Sequence, residues 1–370
     1  MDPILKWPGG KRSELSMLRP LLPAHDRLVE PFAGGAAVFC ALEPNQALLN
    51  DADTDLIGLY HLVAAGTSAT VSAFIYLADA WEAVRQSARA MAPGLAAGRG
   101  APGFDAEREA ALVVRATLAQ VRAGTGLNPF LSESSLGASL RKGLVGKLGR
   151  IAASVTPFPE ADAREQLVAG LLAGFYTNLR DRFVASSLDE AGAVFWFLRE
   201  MCYGSLFRYN RAGRFNIPYG GASYNSKDLR TKVDALLSPE THALFGRATL
   251  SAQDFRDFFE AYAGGRLGDL VFLDPPYDTS FSAYGNRAFG VREQHALADI
   301  IAALRAPTLL VTKRTEAIEE LYRERVRRNS AITLGVYGNT YGVNIKSRFG
   351  RLVEHLVVAN FELPGSITRI

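Results

Sequence analysis

Residues Arg27–Asp51 constrain the fold of this 370-residue chain more than any other stretch. Arg27–Pro31 (RLVEP) reads as a short apolar strand ending in an acid, and Phe32–Ala36 (FAGGA) as a glycine turn. Ala37–Glu43 begins a helix, and Ala47–Asp51 (ALLND) is a second strand ending in an acid. Strand, glycine turn, helix, strand and carboxylate within about 25 residues form the nucleotide-binding half of a doubly wound sheet.

The same pattern returns near the other end. Asp269–Asp274 (DLVFLD) reads as a buried strand with an acid at its carboxyl end. Val291–Leu304 is expected to be a helix and Thr308–Thr312 (TLLVT) a strand. Leu352–Leu363 reads as a late strand suited to a sheet edge or hairpin. Between the two α/β parts the character changes. Ala92–Gly103 (APGLAAGRGAPG) is read as a flexible loop, while Glu107–Val121, Gln166–Leu179 and Glu190–Met201 carry helical spacing. Gly124–Gly149 is rich in Gly and Ser, with Arg141, Lys142, Lys147 and Arg150 at or just past its end. The simplest organisation is one doubly wound domain, 1–60 and 245–370, interrupted by a mostly helical insertion at 61–244.

Leu56–Ala78 has the length of a membrane span. It contains His61, Gly66, Thr67, Ser68, Thr70 and Ser72, and Gly66–Ser68 reads as a break between two helices, so no span is expected. The start, MDPILKWPGGKRS, lacks a basic region followed by an apolar stretch, so no secretory signal is expected. Two cysteines, Cys40 and Cys202, exclude a disulfide scaffold and a four-thiolate zinc site. They suit buried thiols in a reducing, cytoplasmic setting, and no metal is expected.

Net charge is only +3, but its distribution is uneven. Arg208–Lys232 holds six Lys/Arg against Asp228, and Arg323–Arg351 holds seven against Glu324. Two basic segments on an otherwise acidic chain point to a polyanionic partner.

Three motifs carry chemistry. Asp274-Pro275-Pro276-Tyr277 follows a buried strand, and would arise by chance in about one chain in a thousand of this length. Open α/β sheets place ligands at strand carboxyl ends. The two prolines remove backbone donors and force an extended turn. Carbonyl oxygens and the Asp274 carboxylate remain as acceptors, with Tyr277 as a flat face, which suits a planar group bearing an amine. In Leu5–Lys11 (LKWPGGK), Trp7 offers a stacking face, the glycines allow close approach, and Lys11 supplies a cation. In Glu30–Gly35 (EPFAGG), Gly34 and its neighbour let a ligand approach the backbone, and Asp51 can accept both hydroxyls of a ribose. No Gly-Lys-Ser/Thr follows, and the third glycine of the dinucleotide fingerprint is missing, so a nucleoside without pyrophosphate fits best.

Together these residues resemble the alpha-group, Dam-type DNA adenine-N6 methyltransferases. LKWPGGK is similar to that family's N-terminal motif, EPFAGGAAVF to its cofactor loop, NDADTDLI to its ribose-binding strand and DPPY to its catalytic motif, in the order of that group. RYNRAGRFNIPYG, FSAY, FGVREQHALADI and NIKSRFGRLVEHLVVANF match further family stretches, so the resemblance covers about 1–60 and 195–362. Ala36, where many members have Gly, and Thr312-Lys313 after the next strand depart from the pattern, and 85–190 matches nothing.

The resemblance implies a Rossmann-like α/β methyltransferase sheet with a mostly helical target-recognition insertion. It implies a site-specific enzyme acting on double-stranded DNA, within or outside a restriction–modification pair, with S-adenosylmethionine as methyl donor. The adenine amine is a poor nucleophile and the donor methyl is already activated, so alignment and acceptors matter more than a strong base. Asp274 and the Pro275 carbonyl are the expected acceptors, Tyr277 the stacking face and Pro276 a scaffold, and the base must leave the duplex to reach them. By the resemblance, Trp7, Lys11, Phe32, Gly34, Asp51 and Asp274 hold the cofactor. Arg208, Tyr209, Asn210, Arg214, Phe215 and Asn216 interleave bases and aromatics as DNA contacts, with Lys346, Arg348 and Arg351 on phosphates.

Neither cysteine follows a proline, which argues against cytosine-C5 chemistry, and the zinc-deaminase signature is absent. Methylation of the cytosine 4-amino group, a non-catalytic DNA-binding module of the same fold, and methylation of RNA or protein glutamine are the competing readings.

Overall fold

The computed structural model describes the chain except for residues 99–102, 126–130, 155–158, 184–187, 206–207, 211–213, 277–288, 342–350 and 366. It divides into two compact units, Met1–Ala64 with Ala243–Ile370, and Ala65–His242.

The discontinuous unit is built on an eight-stranded sheet. Its strands are β1 Arg27–Glu30, β2 Ala47–Asn50, β3 Ala248–Ser251, β4 Asp269–Leu273, β5 Thr308–Lys313, β6 Thr333–Tyr341, β7 Arg351–Ala359 and β8 Thr368–Arg369. Their order is β3-β2-β1-β4-β5-β7-β6-β8, parallel from β3 to β5 and antiparallel beyond. This is a Rossmann-like α/β sheet. Leu28, Val29, Leu270, Val271, Leu273, Leu309 and Leu310 are fully shielded, as central strands of a parallel sheet covered on both faces must be. Chain order reverses between β1 and β4, so a crevice opens at their carboxyl ends. Glu30, Asp51 and Asp274 all stand at such ends.

Of the two places expected for the late strand, sheet edge or hairpin, β7 takes the second. It pairs antiparallel with β6 and, on its other side, with β5. The edges are β8 and the weakly apolar β3 (ATLS), half exposed along its length beside β2. The Ala36 departure is resolved as a left-handed residue, φ 51° and ψ 40°, that starts the short helix Ala37–Leu42.

The other unit is helical, with long helices Ser68–Gly98, Ala106–Thr125, Glu133–Ala152, Glu160–Arg182 and Leu188–Met201. Ala92–Gly98, read above as loop, continues the first of these, and Pro93 lies inside it. The stretch is Ala-rich, and Ala92, Leu95 and Ala96 are buried, so packing outweighs the proline and glycines. The Gly- and Ser-rich stretch is largely the third helix. Its glycines permit contact: a Cβ on Gly143 would lie 2.2 Å from the Gly170 carbonyl oxygen. Trp81 centres an aromatic core with Phe175, Phe197 and Tyr219 at ring distances of 5.4–5.9 Å. The uncharged run is split between Thr54–Ala65 and Ser68–Gly98. Among the described residues no single helix is long and apolar enough to cross a membrane.

Candidate active site

The N-terminal motif lies on the glycine turn after β1. Trp7 packs so closely on it that a Cβ on Gly34 would sit 2.9 Å from Trp7 Cδ1, and one on Gly35 would sit 3.0 Å from Trp7 Cβ. Gly34 also has φ +47°, so both backbone shape and space require glycine there. The Gly34 N–H donates to Asp51 Oδ2 at 2.9 Å, and the Asp53 N–H donates to Asp51 Oδ1 at 3.0 Å. The buried Tyr60 hydroxyl donates to the Gly34 carbonyl. Asn50, also buried, ties the turn to its neighbours: its Nδ2 donates to the carbonyls of Pro31 and Gln253 at 3.1 and 3.0 Å. Phe32 points its ring at Phe255 and Phe289, 5.5 and 5.6 Å away. Trp7, Gly34 and Asp51 thus form one continuous wall, and Phe32 an aromatic cluster behind the turn.

Asp274 joins this wall through Lys11. The buried Lys11 ammonium donates to Asp274 Oδ1, and to the Gly9 carbonyl at 3.1 Å. Asp274 keeps 20% of its side chain accessible, Pro275 is buried and Pro276 is half-buried. Burial pushes the Asp274 carboxyl up, and Lys11 pulls it back only in part, so it lies above the usual carboxylate range. Tyr277 lies outside the described residues.

A second carboxyl stands close by. Glu30 ends β1 with its Oε1 buried and without a hydrogen-bond partner among the described residues. Burial first, and the neighbouring Asp274 charge in addition, push it to about 8 against a bond from the Phe39 N–H, so it is largely protonated at neutral pH.

Behind Lys11 lies a buried network that the sequence did not disclose. Glu14 accepts hydrogen bonds from His355 Nδ1 at 2.8 Å and from the Tyr337 hydroxyl. Burial would raise Glu14, but the His355 bond, the Lys11 charge and the Tyr337 bond together hold it at about 2.

In the helical unit, Arg208–Asn210 and Arg214–Asn216 face each other as an antiparallel pair. The Asn216 N–H donates to the Arg208 carbonyl at 3.1 Å and the Asn210 N–H to the Arg214 carbonyl at 2.8 Å. Arg208, Asn210 and Arg214 are exposed, and Tyr209 and Asn216 are half-buried. Phe215 is 6% exposed and packs edge-on against Tyr209 at 6.1 Å. Lys346 and Arg348 lie outside the described residues. Arg351 lies within β7.

The model of the D12 class N6 adenine-specific DNA methyltransferases matches residues 7–87 and 165–333, more than half of the chain. The chain belongs to that family. It is therefore a DNA adenine methyltransferase, and it acts on DNA with a methyl donor. The methyltransferase is 23% identical to the Type II methyltransferase M.CviBI of Paramecium bursaria Chlorella virus NC1A, over 98% of this chain and 100% of that one. It is 27% identical to the Retron Ec67 DNA adenine methylase of Escherichia coli, over 87% of this chain and 81% of that one. It is 25% identical to the DNA adenine methylase of Serratia marcescens, over 86% of each.

Glu14, Tyr337 and His355 were missed because Glu14 is far from the other two in the chain, and only His355 falls in a family-like stretch, NIKSRFGRLVEHLVVANF, where nothing marks it out. Asn50 precedes Asp51, and its run of buried bonds was masked by its more familiar neighbour. Only Glu30 left a local signal, an acid closing an apolar strand.

Proposed function

We propose that the methyltransferase moves a methyl group from S-adenosylmethionine to the 6-amino nitrogen of an adenine turned out of duplex DNA. The observation that carries this reading is the Lys11–Asp274 bond, which ties the carboxylate of the DPPY motif to the segment that packs on the glycine turn. S-adenosylmethionine supplies a methyl already activated on a sulfonium.

The residues present fit that donor. Trp7 packs directly on Gly34 and Gly35, which fixes its ring as one wall of the proposed pocket. Asp51 stands at the end of β2 beside the turn, where a carboxylate takes ribose hydroxyls. The Glu30 oxygen that has no partner among the described residues is a buried acceptor that the amine of an amino-acid ligand satisfies. Trp7, Lys11, Gly34 and Asp51 are the binding residues of this reading, and Phe32 supports the turn from behind.

The chemistry asked of the chain is alignment and charge placement. The adenine amine must pyramidalise to present a lone pair, and it gains positive charge as the new bond forms. Asp274 and the Pro275 carbonyl accept its N–H bonds and favour that state. Lys11 bonds one Asp274 oxygen, and among the described residues no donor meets the second. The amine loses one proton after transfer, and Asp274 is the nearest base to receive it. Turning the base out costs a few kcal/mol of unstacking, offset by stacking and hydrogen bonds in the pocket. Tyr277 is the stacking face in this proposal.

Arg208 and Arg214 are proposed as phosphate contacts and Asn210 and Asn216 as base readers, with Tyr209 filling the gap in the stack. Lys346, Arg348 and Arg351 add phosphate contacts, and the helical unit 65–242 carries target recognition. The Type II designation of a relative supports a restriction–modification setting with a cognate endonuclease as partner. The two buried thiols, with Cys40 pushed up to about 12 by burial and the Glu30 charge, suit a reducing cytoplasm.

Incubating the protein with duplex DNA and labelled S-adenosylmethionine, then separating the nucleosides, tests the whole reading. N6-methyladenine is expected. N4-methylcytosine alone would overturn the choice of base, and labelled RNA or peptide with unlabelled DNA would overturn the substrate.

A further inference from the structure

We infer that Glu14, His355 and Tyr337 form a buried positioning network for methyl transfer, anchoring Lys11 where its ammonium meets Asp274. The inference rests on Asp274 acting as the amine acceptor.

The geometry is specific. Lys11 and Glu14 are the first and last residues of one turn of 3-10 helix, Lys11–Glu14, and residues three apart in such a helix eclipse on one face. Both are buried; the Lys11 ammonium pairs with Asp274, and its charge also acts on Glu14. Glu14 is held in turn from the antiparallel part of the sheet. Tyr337 on β6 and His355 on β7 are direct partners in the antiparallel register, with rings 5.1 Å apart. Both reach the same oxygen, Glu14 Oε2, and His355 Nδ1 lies 3.0 Å from the Tyr337 hydroxyl. The His355 side chain is fully shielded, and that of Glu14 is 1% exposed. Such a cluster has little solvent to screen it, so each charge acts on the next more strongly than it would in water.

The groups bearing on Asp274 are Lys11, Glu14 and His355, and Asp274 bears in turn on Glu30 at the end of β1. Their signs differ. The Glu14 charge raises the Asp274 carboxyl, while Lys11 and His355 lower it. Glu14 and His355 therefore act on the acceptor in opposite senses, and a structural brace would not.

The test is the single-turnover transfer rate on pre-bound duplex DNA, followed from acid to neutral pH. Loss of rate at low pH reports protonation of Asp274. Glu14→Gln is expected to slow transfer and move that acid limb to lower pH, and His355→Gln to move it to higher pH. Each shift is about one pH unit, as expected for a unit charge several ångströms away at an effective dielectric of about 20. The double variant returns the limb towards its original place. Tyr337→Phe removes a hydrogen bond but no charge, and so lowers the rate severalfold with the limb unmoved. Limbs that stay put in both single charge variants, or move in the same direction, overturn the network. If Glu14→Gln does not fold, His355→Gln alone decides, and an unmoved limb overturns the inference. A wild-type rate without any acid limb, or Asp274→Asn with full activity, would instead defeat the acceptor role of Asp274.

Discussion

The two ends of β4 carry the same residue in opposite circumstances. At the amino end, Asp269 is fully shielded and takes four donors: Arg27 Nε and Nη2 at 2.7 Å, the Tyr262 hydroxyl at 2.7 Å and the Arg266 N–H at 2.9 Å. At the carboxyl end, Asp274 meets one, Lys11, among the described residues, and remains partly open. Burial raises both. At Asp269 the bonds from Arg27, Arg266 and Tyr262 outweigh it and carry the carboxyl below its usual range. At Asp274 burial wins. A saturated carboxylate holds the sheet to its loops, whereas one with acceptor capacity to spare is available to a ligand. Residue type and strand are shared, so the number of donors and the opening to solvent separate structure from chemistry.

The largest effect should come from Asp274→Ala. Transfer of labelled methyl to duplex DNA should fall by about 10²–10³-fold or more, with the circular dichroism spectrum retained. Wild-type turnover by this variant would erase the contrast between the two ends. Asp269→Ala should do the reverse. Urea unfolding should show a loss of about 3 kcal/mol, because Arg27 and Tyr262 lose their shared partner, while the folded fraction keeps its transfer rate.

The pH dependence sharpens the same contrast. Asp269, with its lowered pKa, contributes stability above the usual aspartate value that is lost as pH falls through the folded one. Asp274 and Glu30, both raised, hold protons more tightly in the folded state, so their ionisation erodes stability as pH rises. With Glu30 at about 8, the decline extends from near pH 5 to 8 and should amount to a few kcal/mol. Glu30→Gln should flatten that slope in urea titrations at the two limits, and an unchanged slope would move its source elsewhere.

Two smaller effects lie away from β4. Gly34→Ala should weaken S-adenosylmethionine binding by about tenfold in calorimetry, since the new methyl displaces Trp7 and strains a left-handed residue. Arg208→Ala should weaken duplex binding with a salt slope reduced by about one, leaving the rate at saturating DNA unaltered. An unaltered slope would remove Arg208 from the phosphate contacts.

Local patterns made β1, β2, β4 and β5 legible, since buried parallel strands read as short apolar runs. The acids that close β1, β2 and β4 marked the carboxyl ends of the sheet in advance. The weakly apolar β3 escaped notice because an edge strand needs only one neighbour and little apolar content. The helix through Ala92–Gly98 was read as loop because its Gly and Pro content outweighed, in sequence, the packing that overrides it in the fold. Basic neighbours flank Phe215 in sequence, and the burial of its ring was not legible there.

By itself the sequence determined the sheet-and-turn frame and the identity of the chemistry-bearing motifs, because period, glycine turns and strand-end acids are local properties. Only the tertiary structure decided which of those acids is spent on structure and which is left open. It alone brought Glu14, Tyr337 and His355 behind Lys11, joining residues hundreds of positions apart. The reason is that a carboxylate's chemistry depends on how many donors and charges surround it, and those come from distant parts of the chain.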